Sequence, residues 1–173
     1  MKNLIYILSI VLLCVSCQEH EQRYFAESDE INTLKSGIDA YESGDWDQWK
    51  SHFADTAKIY VNTSKGIDVN QRLSDLQNFA SAFATYGFNH DDEYIEMVLD
   101  KEKETWVYYW AEHRGKLNGS DKELSIPVHL AVRFSDGKIV AEHIYFDGTE
   151  LNKEMEAMAN KTDMEASTDS SMN

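Results

Sequence analysis

The first half of the chain places apolar residues at the spacing of amphipathic helices. After Ser28, which can cap a helix, apolar residues recur at intervals of three and four: Ile31, Leu34, Ile38 and Tyr41. This pattern predicts a helix that ends at Gly44. Asp45 can cap a second, short helix, whose apolar stripe consists of Trp46, Trp49 and Phe53.

A third helix is predicted further along, after a short strand candidate at residues 57–62. From about Asp68 the apolar positions again follow spacings of four and three, through Val69, Leu73, Leu76, Ala80 and Phe83. This helix should end before Gly87, because a residue without a side chain suits a helix exit.

The second half has the composition of β-strands. Four segments are rich in aromatic and β-branched residues: 94–99, 105–117, 123–135 and 138–147. Turn residues separate the last three segments, at 118–120 and at Asp136-Gly137. The two-residue Asp136-Gly137 loop predicts that Ser135 pairs with Lys138, and this pair sets the register of a hairpin.

That register divides the hairpin side chains between two faces. The core face is the one that carries five aliphatic or aromatic residues of the first strand: Ile126, Val128, Leu130, Val132 and Phe134. Counting from the turn places His143, Tyr145 and Asp147 on this face too. If the turn at Asn118 has four residues, the preceding strand adds Val107, Tyr109, Ala111 and His113. The opposite face then carries Trp106, Tyr108, Trp110, His129, Ile144 and Phe146, whereas a one-residue slip would exchange the faces.

The N-terminus has the features of a secretory signal. One lysine precedes an apolar run at residues 4–15, which is too short for a comfortable membrane span. The segment 12–17 resembles a bacterial lipobox, which implies lipid such as palmitate on Cys17. Both cysteines lie within residues 1–17, so the mature chain would keep no other thiol for a disulfide, a metal site or a nucleophile. The alternative is an uncleaved N-terminal anchor.

These features divide the chain into four predicted parts. They are a lipoprotein signal peptide at 1–16, a lipidated tether at 17–27, one domain at 28–158 and a disordered tail at 159–173. The predicted location is a membrane, and within the cell envelope the outer membrane, on its periplasmic side or at the cell surface. The formal net charge is −15, and it becomes −16 without the signal. This acidity argues against nucleic-acid binding through a basic patch.

The order of elements, helices followed by a long antiparallel meander, indicates an α+β layout. Several segments resemble the SnoaL-like family: 44–49 and 53–55 before the short strand, 113–115, and 134–139 leading to a strand that ends in Asp147. The resemblance covers about residues 30–155. It implies the nuclear transport factor two cone, in which a curved antiparallel sheet wraps around N-terminal helices and leaves a pocket at the open end.

The same resemblance implies candidate catalytic residues. Polyketide cyclases of this family use an aspartate at the corresponding strand end as general acid and base, so Asp147 is the first candidate. The alternative is that Asp147 caps the following helix or meets water at the sheet edge. His113 and His143, both on the predicted core face, could shuttle a proton or bond a ligand oxygen. Each could instead be a satisfied polar residue at the end of the core.

Aromatic residues are the candidates for contacts with a ligand. Tyr109 and Tyr145 could orient a ligand carbonyl through their hydroxyls, or they could simply pack. The cavity is expected to be walled from the helix side by Trp46, Trp49, Phe53 and Tyr60. No spacing motif indicates a metal site, so we expect neither a metal nor a cofactor.

Two functions are compatible with these features. The first is a lipid-anchored domain that holds a small, mostly apolar molecule, with or without cyclase- or isomerase-like proton transfer. The second is a non-catalytic interaction module that works through the outer face of the sheet. Trp106, Tyr108 and Trp110 would leave an exposed apolar patch there. Relatives with this fold often dimerise through that face, so a homodimer is expected.

Overall fold

The computed structural model describes residues 21–170, with side chains described as far as residue 161. The helices of this part are α1 (Asp29–Ser43), α2 (Trp46–Ser51), α3 (Val69–Ser81) and α4 (Thr149–Ser170). Its strands are β1 (Tyr24–Phe25), β2 (Phe53–Val61), β3 (Phe83–Leu99), β4 (Thr105–Leu117), β5 (Glu123–Ser135) and β6 (Lys138–Phe146). The predicted signal peptide and Cys17 lie outside the described residues.

The first three helices begin where polar side chains can satisfy their free backbone N–H groups. Ser28 Oγ accepts a hydrogen bond from the Ile31 N–H at 3.1 Å, and Asp45 and Asp68 accept equivalent bonds at 3.0 and 2.9 Å. Gly44 ends α1 with a φ of 72°, a backbone conformation that a residue without a side chain adopts freely. The three predicted helix starts and the end of α1 are therefore confirmed.

Helix α3 is shorter than predicted, because the chain changes to a strand at Phe83. The sequence predicts that residues 83–86 complete the helix, but this segment pairs with β4 instead. The pairing is possible because Gly115 on β4 has no side chain: a Cβ there would lie 2.7 Å from the Phe83 ring. Strand β3 therefore runs the full length of β4, interrupted by extra residues at 90–93.

The strands form one curved sheet in the order β1-β3-β4-β5-β6-β2. The central strands are antiparallel, as predicted, whereas β2 pairs parallel to β6. The sheet is therefore mixed rather than wholly antiparallel. Residues assigned to the tether add an edge strand: Tyr24 pairs with Val98 and Phe25 with Met97.

The hairpin of β5 and β6 begins as predicted and then shifts register. Ser135 pairs with Lys138 and Phe134 with Ile139, but Arg133 pairs with Ala141, so Val140 is an extra residue in β6. Beyond this bulge every side chain of β6 lies on the face opposite to the predicted one. The assignments of His143, Tyr145 and Asp147 to the core face are therefore wrong, and so are those of Ile144 and Phe146 to the outer face.

The faces of β4 agree with the prediction. Val107 pairs with Val132, Tyr109 with Leu130 and His113 with Ile126, so these residues share the inner face with the core residues of β5. Val107, Tyr109 and Val132 are fully buried. Trp106, Tyr108 and Trp110 lie on the outer face.

The last helix covers one end of the sheet. Leu151 of α4 is buried in a small cluster with Phe83, Leu117, Leu124 and Ile126. Helix α4 extends into the predicted tail, and the predicted domain limits stay predictions. Within residues 21–170, no helix is both long enough and apolar enough to cross a membrane.

Candidate functional site

The inner face of the sheet and the first three helices enclose a cavity of about 490 Å³. Its wall is mainly apolar and comes from every layer of the fold, including Leu34, Trp49, Phe53, Ile59, Leu76, Val128, Leu130 and Ile144. Three exposed polar residues, Thr63, Lys65 and Asp75, line its solvent-facing edge. The volume and the wall are typical of small-molecule sites.

A buried hydrogen-bonded pair lies in the wall of this cavity. The Tyr41 hydroxyl and His113 Nε2 are 2.9 Å apart, which joins α1 to β4. Three phenylalanine rings surround the imidazole, with centroids 5.2 to 6.2 Å away. This apolar burial lowers the pKa of His113 to about 4 and, together with nearby Tyr86, raises the pKa of Tyr41. His113 is therefore neutral at pH 7, and the pair forms a hydrogen bond without net charge.

A second polar pair lines the cavity without being hydrogen-bonded. Glu142 on β6 is 7% exposed, and its Oε2 has no hydrogen-bond partner among the described residues. Arg72 on α3 likewise has an Nε that is shielded from solvent and unpartnered. Burial raises the pKa of Glu142, and the nearby charge of Arg72 opposes this rise. The cavity thus combines an apolar wall with a buried carboxyl group and a guanidinium.

Comparisons with known proteins identify the fold. No protein-family model matches the chain, and no curated protein matches its sequence. A protein described as a SnoaL-like polyketide cyclase from Jannaschia sp. CCS1 matches in structure with a TM-score of 0.59 at 13% identity, over 76% of this chain and 94% of that one. The chain has the SnoaL-like cone fold.

Two further solved structures extend the comparison. A nuclear transport factor two-like protein of unknown function from Burkholderia pseudomallei K96243 has a TM-score of 0.59 at 12% identity, over 73% of this chain and 97% of that one. A protein with a ketosteroid isomerase-like fold from Catenulispora acidiphila DSM 44928, in complex with trimethylamine, has a TM-score of 0.52 at 11% identity, over 65% and 83%. At these low identities the structural matches establish the fold alone, and they confirm the cone fold that the sequence resemblance implies.

Within the SnoaL-like cone, three of the predicted site residues line the cavity: His113, Trp49 and Phe53. Tyr109 is buried on the same face, but its hydroxyl donates a hydrogen bond to Glu93 at 3.1 Å. Trp46 packs edge-on against Tyr41, with ring centroids 6.2 Å apart, and is not part of the wall.

Asp147 lies outside the cavity, at the exposed start of α4. Its Oδ1 accepts hydrogen bonds from the backbone N–H and the hydroxyl of Thr149, at 2.9 and 2.5 Å. These bonds lower the pKa of Asp147, which is the opposite of the rise expected for a carboxyl group in an apolar pocket. The geometry matches the capping alternative, and a catalytic role for Asp147 stays a prediction that the cavity does not support.

The other predicted residues lie on the outside of the sheet. The rings of Tyr60 and His143 stack with centroids 4.5 Å apart and an interplanar angle of 8°. Tyr145 is 50% exposed and stacks on His129. The expected positions of Tyr60, His143 and Tyr145 in the cavity wall are therefore wrong. The bulge at Val140 turns His143 and Tyr145 outward, whereas Tyr60 follows the buried Ile59 on β2 and so points to the outer side of the sheet.

The polar residues that sequence reasoning missed are Arg72 and Glu142. Arg72 follows Val69 by three positions and precedes Leu76 by four, so helical spacing already places it on the buried stripe of α3. This spacing is enough to predict from the sequence that Arg72 faces the interior. Glu142 had no comparable signal, since its inward position depends on the bulge.

The outer surface of the sheet carries a continuous set of aromatic rings, which we call the outer aromatic face. It consists of Trp106, Tyr108, Trp110, His129 and Tyr145. Neighbouring rings are 4.5 to 6.4 Å apart, and most pairs are nearly parallel. Trp110 is 40% exposed, so part of this apolar surface meets solvent.

Proposed function

We propose that this protein binds a small, mostly apolar molecule inside the cone. The observation that carries the proposal is the cavity itself, whose volume suits a small molecule and whose wall combines apolar side chains with few polar groups. The names of the fold relatives, polyketide cyclases and an epoxide hydrolase among them, are consistent with ligand binding in this fold.

Any proton transfer in this cavity would fall to Glu142 rather than to Asp147. Glu142 is buried in the wall, and this burial raises its pKa and so favours the protonated carboxyl group. Asp147 is exposed, and its carboxylate accepts hydrogen bonds from Thr149. Binding is the function that the geometry supports best, and we propose it without a catalytic step.

Native mass spectrometry of the full-length protein purified from its own host tests this proposal. We expect a retained small molecule in the wild type and its loss in Val61→Trp, because Val61 lines the cavity and a larger ring would occupy that space. Lys58→Trp is the matched control, since it adds the same ring at an exposed position of the same strand. Equal retention in both variants would contradict binding in the cavity.

We also propose that the chain is exported and held at the outer membrane by lipid on Cys17. The proposal rests on the apolar run and the lipobox-like segment, and on the position of both cysteines within residues 1–17. Growth of the host with labelled palmitate should label the wild type and leave Cys17→Ala unlabelled. Label on the Cys17→Ala variant would refute this assignment.

The outer aromatic face supports a second candidate function, self-association. Its half-exposed rings form the kind of apolar patch that commonly marks a protein interface. Analytical ultracentrifugation should detect a homodimer in the wild type and a monomer in Trp110→Ser, while the ligand of the cavity is retained. A wild-type monomer at all concentrations would rule out this function.

A further inference from the structure

The two unpartnered polar groups of the cavity indicate the chemical class of the ligand. We propose that Arg72 and Glu142 together bind the head group of an amphiphilic carboxylate, whose apolar tail fills the rest of the cavity. This inference rests on the proposed function, because it requires that the cavity holds a ligand.

The first argument is hydrogen-bonding capacity. Buried polar atoms in folded proteins almost always have a hydrogen-bond partner, yet Arg72 Nε and Glu142 Oε2 have none among the residues that the structure describes. The other polar pair in the wall is different, since Tyr41 and His113 satisfy each other. Arg72 Nε and Glu142 Oε2 are not hydrogen-bonded to each other, although both residues lie in the wall. A ligand with polar atoms would supply the missing partners.

The second argument is the kind of partner that both groups accept. Arg72 can only donate hydrogen bonds, and burial raises the pKa of Glu142, so its protonated form can donate as well. Two donors in an apolar wall match the two oxygens of a carboxylate. An alcohol offers one oxygen, and a quaternary ammonium head group would be repelled by the guanidinium.

The test uses three probes that share one tail: decanoate, 1-decanol and decyltrimethylammonium. Isothermal titration calorimetry with the full-length protein measures their affinities below their micelle concentrations. For the wild type we expect decanoate to bind at least ~10-fold more tightly than decanol, because hydrogen bonds to a charged group are the stronger ones. Decyltrimethylammonium should bind more weakly than either.

Three variants test whether the preference for decanoate over decanol depends on Arg72 and Glu142. In Arg72→Met/Glu142→Leu we expect the affinity for decanoate to fall by about 10- to 100-fold, and the affinity for decanol to stay within ~3-fold. The double variant should fold, because replacing a buried polar pair with apolar residues is commonly neutral for stability. Glu142→Gln keeps a donor at the same place and should retain most of the decanoate affinity. Lys116→Met removes a charge from an exposed position and should change nothing.

The outcomes separate this inference from the proposed function. Equal affinities for decanoate and decanol in the wild type, or full decanoate affinity in the double variant, would overturn the carboxylate site and leave the apolar cavity standing. If none of the three probes binds the wild type, the binding function and this inference both fail. The expected pattern, with decanoate affinity lost only in the double variant, supports both.

Discussion

The buried histidine of the cavity should make the stability of the protein sensitive to mild acid. His113 has a pKa of about 4 in the fold, whereas the same group in the unfolded chain titrates near ~6.5. Between these values the unfolded chain binds a proton that the folded chain cannot accept. The contribution of His113 to the free energy of unfolding is therefore fully present above about pH 6.5. It is lost as the pH falls toward about 4.

The size of this effect follows from the two pKa values. Their difference corresponds to at most about 3 kcal/mol, of which about 2 kcal/mol is lost by pH 5. His113 is 5% exposed and surrounded by aromatic rings, so solvent screening reduces this little. Urea denaturation at pH 7.5 and at pH 5 measures the free energy of unfolding of the wild type at both values.

Two variants isolate the contribution of His113 from that of other titrating groups. Tyr41→Phe/His113→Leu removes both partners of the hydrogen bond, so we expect stability within about 1 kcal/mol of the wild type at pH 7.5 and about 2 kcal/mol less sensitivity to acid. Tyr41→Phe alone leaves the histidine unpartnered, costs about 1–3 kcal/mol, and keeps the sensitivity. The reasoning is refuted if the wild type and the double variant lose the same free energy between the two pH values.

Three further predictions concern other parts of the fold. Asp147→Ala should lower the thermal midpoint, whereas Asp147→Asn, which still caps α4, should leave it unchanged. Neither variant should change the affinity for the ligand. A loss of ligand in Asp147→Asn would instead support a catalytic or binding role for this residue. Gly115→Ala should destabilise the fold by about 1–3 kcal/mol in urea denaturation, because its Cβ would lie 2.6 Å from the Thr85 carbonyl oxygen; wild-type stability would contradict this contact. Hydrogen bonds to Glu93 and then to Glu42 raise the pKa of half-exposed His90. The ion pairs of protonated His90 therefore stabilise the fold at low pH, and this stabilisation is lost as the pH rises through the raised pKa. His90→Ala should therefore cost up to about 1 kcal/mol at pH 6 and less at pH 8.5, and a cost that grows with pH would exclude this ion pair.

The sequence predicts the hairpin turn well and its far end badly, for a local reason. Asp136 and Gly137 both have positive φ, as the tight turn requires, and the pairs next to it follow from that geometry. The bulge at Val140 lies three residues later, within β6, which contains no glycine. No residue type marks the position of the bulge. A prediction that alternates side chains strictly between the two faces therefore places His143 and Tyr145 on the wrong face.

The helical side of the site was more predictable, because helix spacing needs no knowledge of distant partners. Trp49 and Phe53 line the cavity as their stripe indicated. The end of α3 was not predictable in the same way. Phe83 continues the apolar stripe of the helix, and only its partner strand, with Gly115 opposite the ring, decides that it begins β3.

The short edge strand β1 has a geometric consequence for the proposed anchor. Tyr24 pairs with Val98 at one edge of the sheet, and only residues 18–23 separate it from Cys17. Even a fully extended chain of that length reaches about 25 Å. A lipid on Cys17 would therefore hold the β1 edge of the sheet within that distance of the bilayer. Strand β2, which leads to the cavity edge at Thr63 and Lys65, is the opposite edge of the sheet, so a ligand would enter on the side away from the attachment point.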